Sequence, residues 1–155
     1  MTTIDAASSA TLPLNFRFSV CFLGVTGPNP LDVRFQRVSG LSARIDTSTL
    51  VEGGENLYTH RLPSRVGYQN LVLERGFVVD GPLNLDITAA MSLFKFAPCD
   101  VLVTLLDAQG EPIAAWMFYK AWPVAWSTAD LTVAKDDVLI DTIELAYTRM
   151  QAMRI

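Results

Sequence analysis

Few residues of this 155-residue chain have types and spacing that could do chemistry. The single histidine, His60, stands in Tyr58-Thr59-His60-Arg61. A catalytic histidine needs a nucleophile on one side and an orienting acid on the other. The sequence places neither around it in a recognisable arrangement, so it reads as a surface or interface histidine. Cys21 and Cys99 are far apart in sequence and have no ligand spacing. With one histidine they make no convergent metal set. They read as packed thiols, and a disulfide between them stays open. Glu52 and Glu55 flank Gly53-Gly54, which is a loose carboxylate pair or, more plainly, a flexible charged loop. Gly53-Gly54 lacks the G-x-x-x-x-G-K-[ST] spacing of a phosphate loop. Asp136-Asp137 reads as solvated acids in a turn. Trp116, Tyr119, Trp122 and Trp126 could stack on bases. They lie in the most apolar run of the chain, with Lys120 as the nearby cation, so they read as core or subunit interface. The expectation is a structural protein, with no enzymatic activity, no metal and no cofactor.

The elements that position these residues are mostly strands. From Asn15 to Gly24, Phe16, Phe18, Val20 and Phe22 alternate with Arg17 and Ser19, which predicts a half-buried strand. Gly27-Pro28-Asn29-Pro30 breaks it. From Asp32 to Val51 the odd positions include Val33, Phe35, Leu41, Ala43, Ile45 and Val51. The even positions include Arg34, Gln36, Ser42, Arg44, Asp46 and Ser48. This period of two predicts a long strand pair with an odd, apolar face on the core and an even, wet face outward. Gly40 is a bulge or bend within it. Glu52 to Asn56 follows as a mobile polar loop, and Leu71 to Val79 as another strand.

One helix is expected. Gly81-Pro82 suits its start, and Leu83, Ile87, Met91 and Phe94 form a stripe. Asp86 and Lys95 suit the helix dipole, and Pro98 stops it. Val101 to Asp107 and Pro112 to Trp126 read as a hairpin, the second run central and interrupted at Pro123. In the last strand, Val138 to Met150, we expect Val138, Leu139, Ile140, Ile143 and Leu145 inside. Asp141, Glu144 and Arg149 take wetter sites. Residues 1–13 read as a flexible N-terminal arm and 14–155 as a single domain. The fold class is mainly β: an antiparallel sandwich or barrel of about six or seven strands with one α-helix.

Bulk composition adds one constraint. Hydrophobic residues make up 50% and charged residues 18% of the chain, against about 25% charged in ordinary soluble domains. Mean hydropathy is +0.29. A domain this small has much surface for its volume, so the excess points to a membrane or to burial against partners. The run Pro112–Ala129 contains Lys120 and Pro123, which no membrane-spanning helix of about 20 apolar residues favours. The start Met1-Thr2-Thr3-Ile4-Asp5 has neither a basic nor an apolar block of a signal peptide. Net charge is −4, which argues against general nucleic-acid binding. Obligate association is the expectation.

Several segments, in order, resemble one family. They are Phe35-Gln36-Arg37-Val38-Ser39-Gly40-Leu41, Val51-Glu52-Gly53-Gly54-Glu55-Asn56, His60-Arg61-Leu62-Pro63 and Tyr68 to Gly76. Ala121-Trp122-Pro123-Val124-Ala125-Trp126 and Ile140 to Tyr147 complete the set. Together they resemble the tail-tube family of contractile phages and extracellular contractile injection systems, from about Phe16 to Met150. The resemblance implies six copies in a homo-hexameric ring, each lending strands to a ring-wide β-barrel around a lumen, with rings stacked inside a sheath. Within the family, Phe18 to Gly24, the Glu52–Asn56 loop and Asn70 to Gly76 most resemble the tube-initiator type, which joins the spike hub to the main tube. The segment of the helix lacks a tryptophan often found there, and Thr132-Val133-Ala134-Lys135 departs from the usual acidic turn. Both departures bear on the subtype, and a main-tube subunit is the alternative.

On this resemblance the lumen-facing candidates are Arg34, Gln36, Ser42, Arg44, Asp46 and Ser48. The inter-subunit loop candidates are Val51, Glu52, Gly53, Gly54, Glu55, Asn56, Leu57 and Tyr58. Expected partners are the chain itself, neighbouring tube rings, the spike hub, and baseplate or sheath subunits. The particle would be assembled in the producer cytoplasm. A small-ligand-binding β-barrel and a His60-dependent hydrolase are the competing classes. The first needs a pocket with convergent polar groups, the second an activity lost on H60A.

Overall fold

A single bent strand organises the fold. The computed structural model describes residues 17–24, 35–54, 56–77, 82–131 and 138–154. The arm 1–13, the Gly27–Pro30 loop, Phe16, Val33, Arg34, Glu55 and Asp136-Asp137 lie outside the described residues. In chain order the elements are β1 (Arg17–Leu23), β2 (Arg37–Ser39), β3 (Ala43–Leu50), β4 (His60–Tyr68) and β5 (Leu71–Gly76). There follow α1 (Pro82–Leu93), β6 (Cys99–Leu106), β7 (Pro112–Thr128), β8 (Ile140–Ala146) and β9 (Arg149–Arg154).

The first half of β7 lies between β6 and β9, and its second half pairs with β8, all antiparallel. The turn between the halves has visible causes. Lys120 takes φ 53°, and its N–H donates to Asp100 Oδ1 at 2.9 Å. Pro123 has no N–H for the ladder, and the β8 register shifts between Pro123 and Ala125. A bulged strand bends and twists, so one sheet folds over on itself. Its strand order is β1-β6-β7-β8-β5-β2, with β9 also on β7.

The two halves of this seven-stranded sheet enclose the core. Val20, Val101, Val103, Phe118 and Ala121 come from one half, and Leu71, Leu73, Ile143 and Leu145 from the other. Each such aliphatic or aromatic side chain contributes roughly 1.5–3 kcal/mol on full burial. Helix α1 adds Leu83 and Ile87 to the same cluster. The sequence-based stripe continues to Met91 and Phe94, but both are exposed. The helix ends before Pro98, because Phe94 adopts φ 53° and the Lys95 N–H turns back to the Ala89 carbonyl at 3.2 Å. No acid lies in its first turn and no base in its last, so the expected dipole pairing by Asp86 and Lys95 is not realised.

The C-terminal expectation needs correction. Residues 138–150 are not one strand. Tyr147 and Thr148 separate β8 from β9. On β8 the inward face carries Asp141, Ile143 and Leu145. Ile140 cannot share a face with Ile143 in a period of two, and Val138 is exposed. Asp141, expected wet, is 1% exposed. It is tolerated because Thr128 Oγ1 donates to its Oδ1 at 2.8 Å and because Arg75 lies opposite it in the β5–β8 register. Arg75 is itself 0% exposed. Its Nη2 donates to Asn84 Oδ1 of α1 at 2.5 Å, and its guanidinium lies over the Phe35 ring at 5.7 Å. Two residues of opposite charge thus face each other in the interior, each with a hydrogen-bond partner of its own there.

The expected long strand from Asp32 to Val51 is divided at Gly40. β2 belongs to the folded sheet through β5, whereas β3 pairs only with β4 in a separate two-stranded ribbon. Gly40 has φ 87°, and a Cβ there would run into the Asn70 carbonyl oxygen. Only glycine fits both demands.

Candidate assembly surface

The β3–β4 ribbon stands away from the core, and nearly every residue of it is exposed. On one face of β3 lie Arg44, Asp46 and Ser48, followed by Leu50, which is paired with His60. Arg44 Nε sits 3.7 Å from Asp46 Oδ1. The other face carries Ala43, Ile45, Thr47 and Thr49, with Tyr68, Val66, Pro63 and Arg61 opposite them. Here Arg61 Nη2 donates to Thr47 Oγ1 at 3.1 Å. A bulge lies between Ile45 and Thr47, where β4 has one extra residue.

Strand β4 went unread in the sequence. His60, Leu62, Ser64, Val66 and Tyr68 alternate with Arg61, Pro63, Arg65 and Gly67, a period of two that Pro63 obscures. Pro63 is accommodated because β4 has, among the described strands, only β3 as neighbour, and at an edge a missing N–H is tolerated.

The lumen candidates are not one continuous strand face. Arg44, Asp46 and Ser48 share the ribbon face. The Gln36 N–H donates to the Glu74 carbonyl at 2.7 Å, within the folded sheet. Ser42 is in the bend, its N–H donating to the Gly40 carbonyl at 2.8 Å. The odd face, expected on the subunit core, instead leaves Ile45 61% exposed.

The loop candidates Val51, Glu52, Gly53, Gly54, Asn56, Leu57 and Tyr58 form the tip that joins β3 to β4. Val51 is 79% and Leu57 91% exposed. At this tip His60 Nε2 lies 3.8 Å from Glu52 Oε2, and the Tyr58 ring meets His60 edge-on at 5.1 Å. Both side chains of the pair are about half exposed. Among the described residues no group of three or more His, Cys, Asp or Glu could hold a metal ion. Cys21 and Cys99 are free thiols. Burial, together with nearby Asp86 and Asp100, pushes the Cys99 thiol up to about 11.

Two hollows border the core. A cavity of about 360 Å³ between α1 and the sheet is lined by Phe77, Asn84, Ile87, Met91, Trp126 and Asp141, among others. Three of its four polar residues are engaged, Asn84 with Arg75, Asp141 with Thr128, and Thr88 Oγ1 with the Asn84 carbonyl, and the fourth is Ser92. A groove of about 530 Å³ lies between the edge strands β1 and β2, over Phe18, Val38, Val103 and Trp116. Neither has the free convergent polar set of a ligand site. On the helix side a second apolar surface is exposed. Phe94, 84% exposed, stacks edge-on with Phe96 at 4.9 Å, and Phe96 with Trp122 at 5.4 Å. Among the described residues no helix is long and apolar enough to cross a membrane.

A separate ribbon, bare on both faces, beside a folded sheet with one helix is an architecture with known relatives. The family model described as T4-like virus tail tube protein gp19 matches residues 14–151. The chain is similar to a protein of the anti-feeding prophage baseplate, with 34% identity, TM-score 0.80, and 96% of this chain and 98% of that chain covered. It is also similar in fold to a chain of the sheath–tube complex of an extracellular contractile injection system, at 21% identity and TM-score 0.77, each chain covered over 100%. A chain of the anti-feeding prophage tube-terminating cap matches at 20% identity and TM-score 0.81, over 99% of this chain and 98% of that one. No curated protein matches. The chain therefore belongs to the T4 gp19 tail tube family, as a structural, tail-tube-like component of contractile injection systems.

Proposed function

We propose that this chain forms a homo-hexameric ring of the inner tube, and that the ring is the tube initiator, seated between the spike hub and the first main tube ring. The observation that carries the ring is the β3–β4 ribbon. A two-stranded ribbon alone is marginal in water. This one exposes Ile45, Leu50, Leu62 and Val66, and no other described strand pairs with either of its edges. Neighbouring ribbons placed side by side would cover those edges and those side chains. A contact between unlike surfaces that closes makes a ring, and a barrel of many strands has room for an aqueous channel. Arg44, Asp46 and Ser48 suit the water-filled side. Gln36 and Ser42 lie off that face and would meet the lumen only near the ring's rim. The tip, Val51 to Tyr58, then meets the neighbouring subunit or the next ring.

The initiator reading is favoured by the 34% identity to a baseplate protein, against 21% to a chain of the sheath–tube complex. The main-tube subunit is the second reading. The protein works without enzymatic activity and is assembled in the producer cytoplasm before the particle is released. Gold labelling of a tagged chain in assembled particles tests the assignment. One labelled ring at the hub is expected for an initiator. Label along the whole tube would overturn that reading in favour of the main tube.

A further inference from the structure

The β3–β4 ribbon leaves the folded sheet through a joint that keeps register. Pairing between β2 and β5 ends at Ser39 and Val72, and pairing in the ribbon begins at Ala43 and Tyr68. Three residues lie between on each strand, Gly40 to Ser42 on one and Gln69 to Leu71 on the other. The two pairings are therefore in phase. Carried through the gap, the first would set Gly40 against Leu71, Leu41 against Asn70 and Ser42 against Gln69, and would arrive at Ala43 against Tyr68. The corner of β7 is built otherwise. It carries register shifts, between Pro123 and Ala125 on the β8 side and between Cys99 and Val101 on the β6 side. An extra residue in one strand fixes a bend, because the ladder cannot close over it. No extra residue holds the joint at Gly40.

Local contacts fill the gap instead. The Ser42 N–H donates along its own strand to the Gly40 carbonyl at 2.8 Å. Gly40 takes φ 87°, and glycine adopts the extended backbone of a ladder as readily. Asn70 Nδ2 donates to Glu144 Oε1 at 2.6 Å, and the Tyr68 ring lies 5.6 Å from that of Tyr147. The Tyr147 hydroxyl is buried with no hydrogen-bond partner among the described residues, so this arrangement leaves a polar group unsatisfied beside the joint. Beyond the joint the ribbon has no hold on the core. No residue of β3 or β4 belongs to the core cluster, and every residue of β3 is exposed.

We infer that Gly40–Ser42 and Gln69–Leu71 form a hinge that stands open in the separate chain and closes in register on assembly, joining β2 to β3 and β5 to β4 in one uninterrupted hairpin. The inference rests on the ring-subunit reading and adds a device that regulates it. Closure exchanges the bond from Ser42 to Gly40 for cross-strand bonds. It needs no slip of register, which would turn every side chain to the other face. Neighbours in a ring hold the ribbon in line and favour closure, whereas a two-stranded ribbon alone is marginal in water. The open hinge keeps the ribbon's edges from continuing those of the folded sheet, so unassembled chains do not offer one another a single long edge.

A cross-strand disulfide reads the hinge. In a closed antiparallel pair, facing Cα atoms lie about 4.5–5.5 Å apart, within disulfide reach. Ser42 and Gln69 are both exposed, and closure sets them face to face. The test uses the full-length chain with C21S, C99S, S42C and Q69C, and with hub and tube partners supplied where assembly needs them. Mild oxidation is expected to form this bridge about tenfold faster, or more, in assembled particles than in the separate chain. The pair T49C/R61C, already matched within the ribbon, corrects for access of the oxidant. Equal corrected rates in the two states, or particles that form the ribbon bridge but not the hinge bridge, would overturn the hinge. Hydrogen exchange of the unaltered chain gives a reading that no substitution disturbs. Amides of residues 41, 42, 69 and 70 are expected to slow by about tenfold or more on assembly. Unchanged exchange there would overturn closure. If the chain assembles and these measurements fail, the hinge alone is wrong. If the chain assembles neither alone nor with any of its partners, the ring-subunit reading fails and takes the closing step with it.

Discussion

Four residues show how local chemistry shapes this fold. Arg75 and Asp141 lie opposite each other inside the sheet, each at most 1% exposed. Removing either charge takes away the opposite charge that faces the other in the β5–β8 register. R75M or D141N should therefore cost about 3–5 kcal/mol of stability, while R75M/D141L should recover most of it. Urea unfolding of the three variants measures this. An additive double variant would show that the two charges do not depend on each other. At Gly40, an added Cβ meets the Asn70 carbonyl at a φ that side chains avoid, so G40A should destabilise by about 2–4 kcal/mol. Cys99 has a different signature. Its folded-state pKa is raised from 9.0 to about 11 by burial and by Asp86 and Asp100. The folded state thus holds this proton more tightly than the unfolded chain does. The stabilisation is complete below pH 9, and it is lost as pH rises toward 11. Melting curves of the unaltered chain and C99S should diverge across that window and run parallel below it.

At the scale of elements, the folded sheet and the ribbon are separable. All residues of the core cluster lie outside β3 and β4. Replacing residues 44–66 by a short Gly/Ser linker, with Tyr68 kept against Tyr147, should leave the melting temperature within about 5 °C and abolish ring formation. Circular dichroism and size-exclusion chromatography together read both effects. The legibility of the sequence follows the same division. Strand β1, the inward Leu71 and Leu73 of β5, and the start of α1 could be read because core burial imposes a period on them. The central place of β7 was legible in its unbroken apolar run. The ribbon was legible only in part. Ile45 and Val66 alternate as core residues do, but no described residue of the chain covers them, so periodicity alone assigns the odd face to the core. β4 was hidden by Pro63, which an unpaired edge accepts. Asp141 reads as a wet site because what satisfies it inside is Thr128 of another strand, and no local pattern joins the two.

For the whole molecule, the apolar excess noted in the composition now has addresses. It lies in the ribbon and its tip, and in the aromatic surface at the end of α1. A monomer leaving these bare should aggregate or associate, and a tube subunit would cover them in its ring and stack. Substituting Ile45, Leu62 and Val66 together by threonine should leave the folded sheet intact and shift the protein toward monomer, as analytical ultracentrifugation would record. The most direct test of the account is electron microscopy of the purified full-length chain, alone and mixed with its hub and tube partners. The account predicts rings whose averages show six-fold symmetry around an open lumen, free or capping a tube. A monodisperse monomer at high concentration, in every combination of partners, would contradict it.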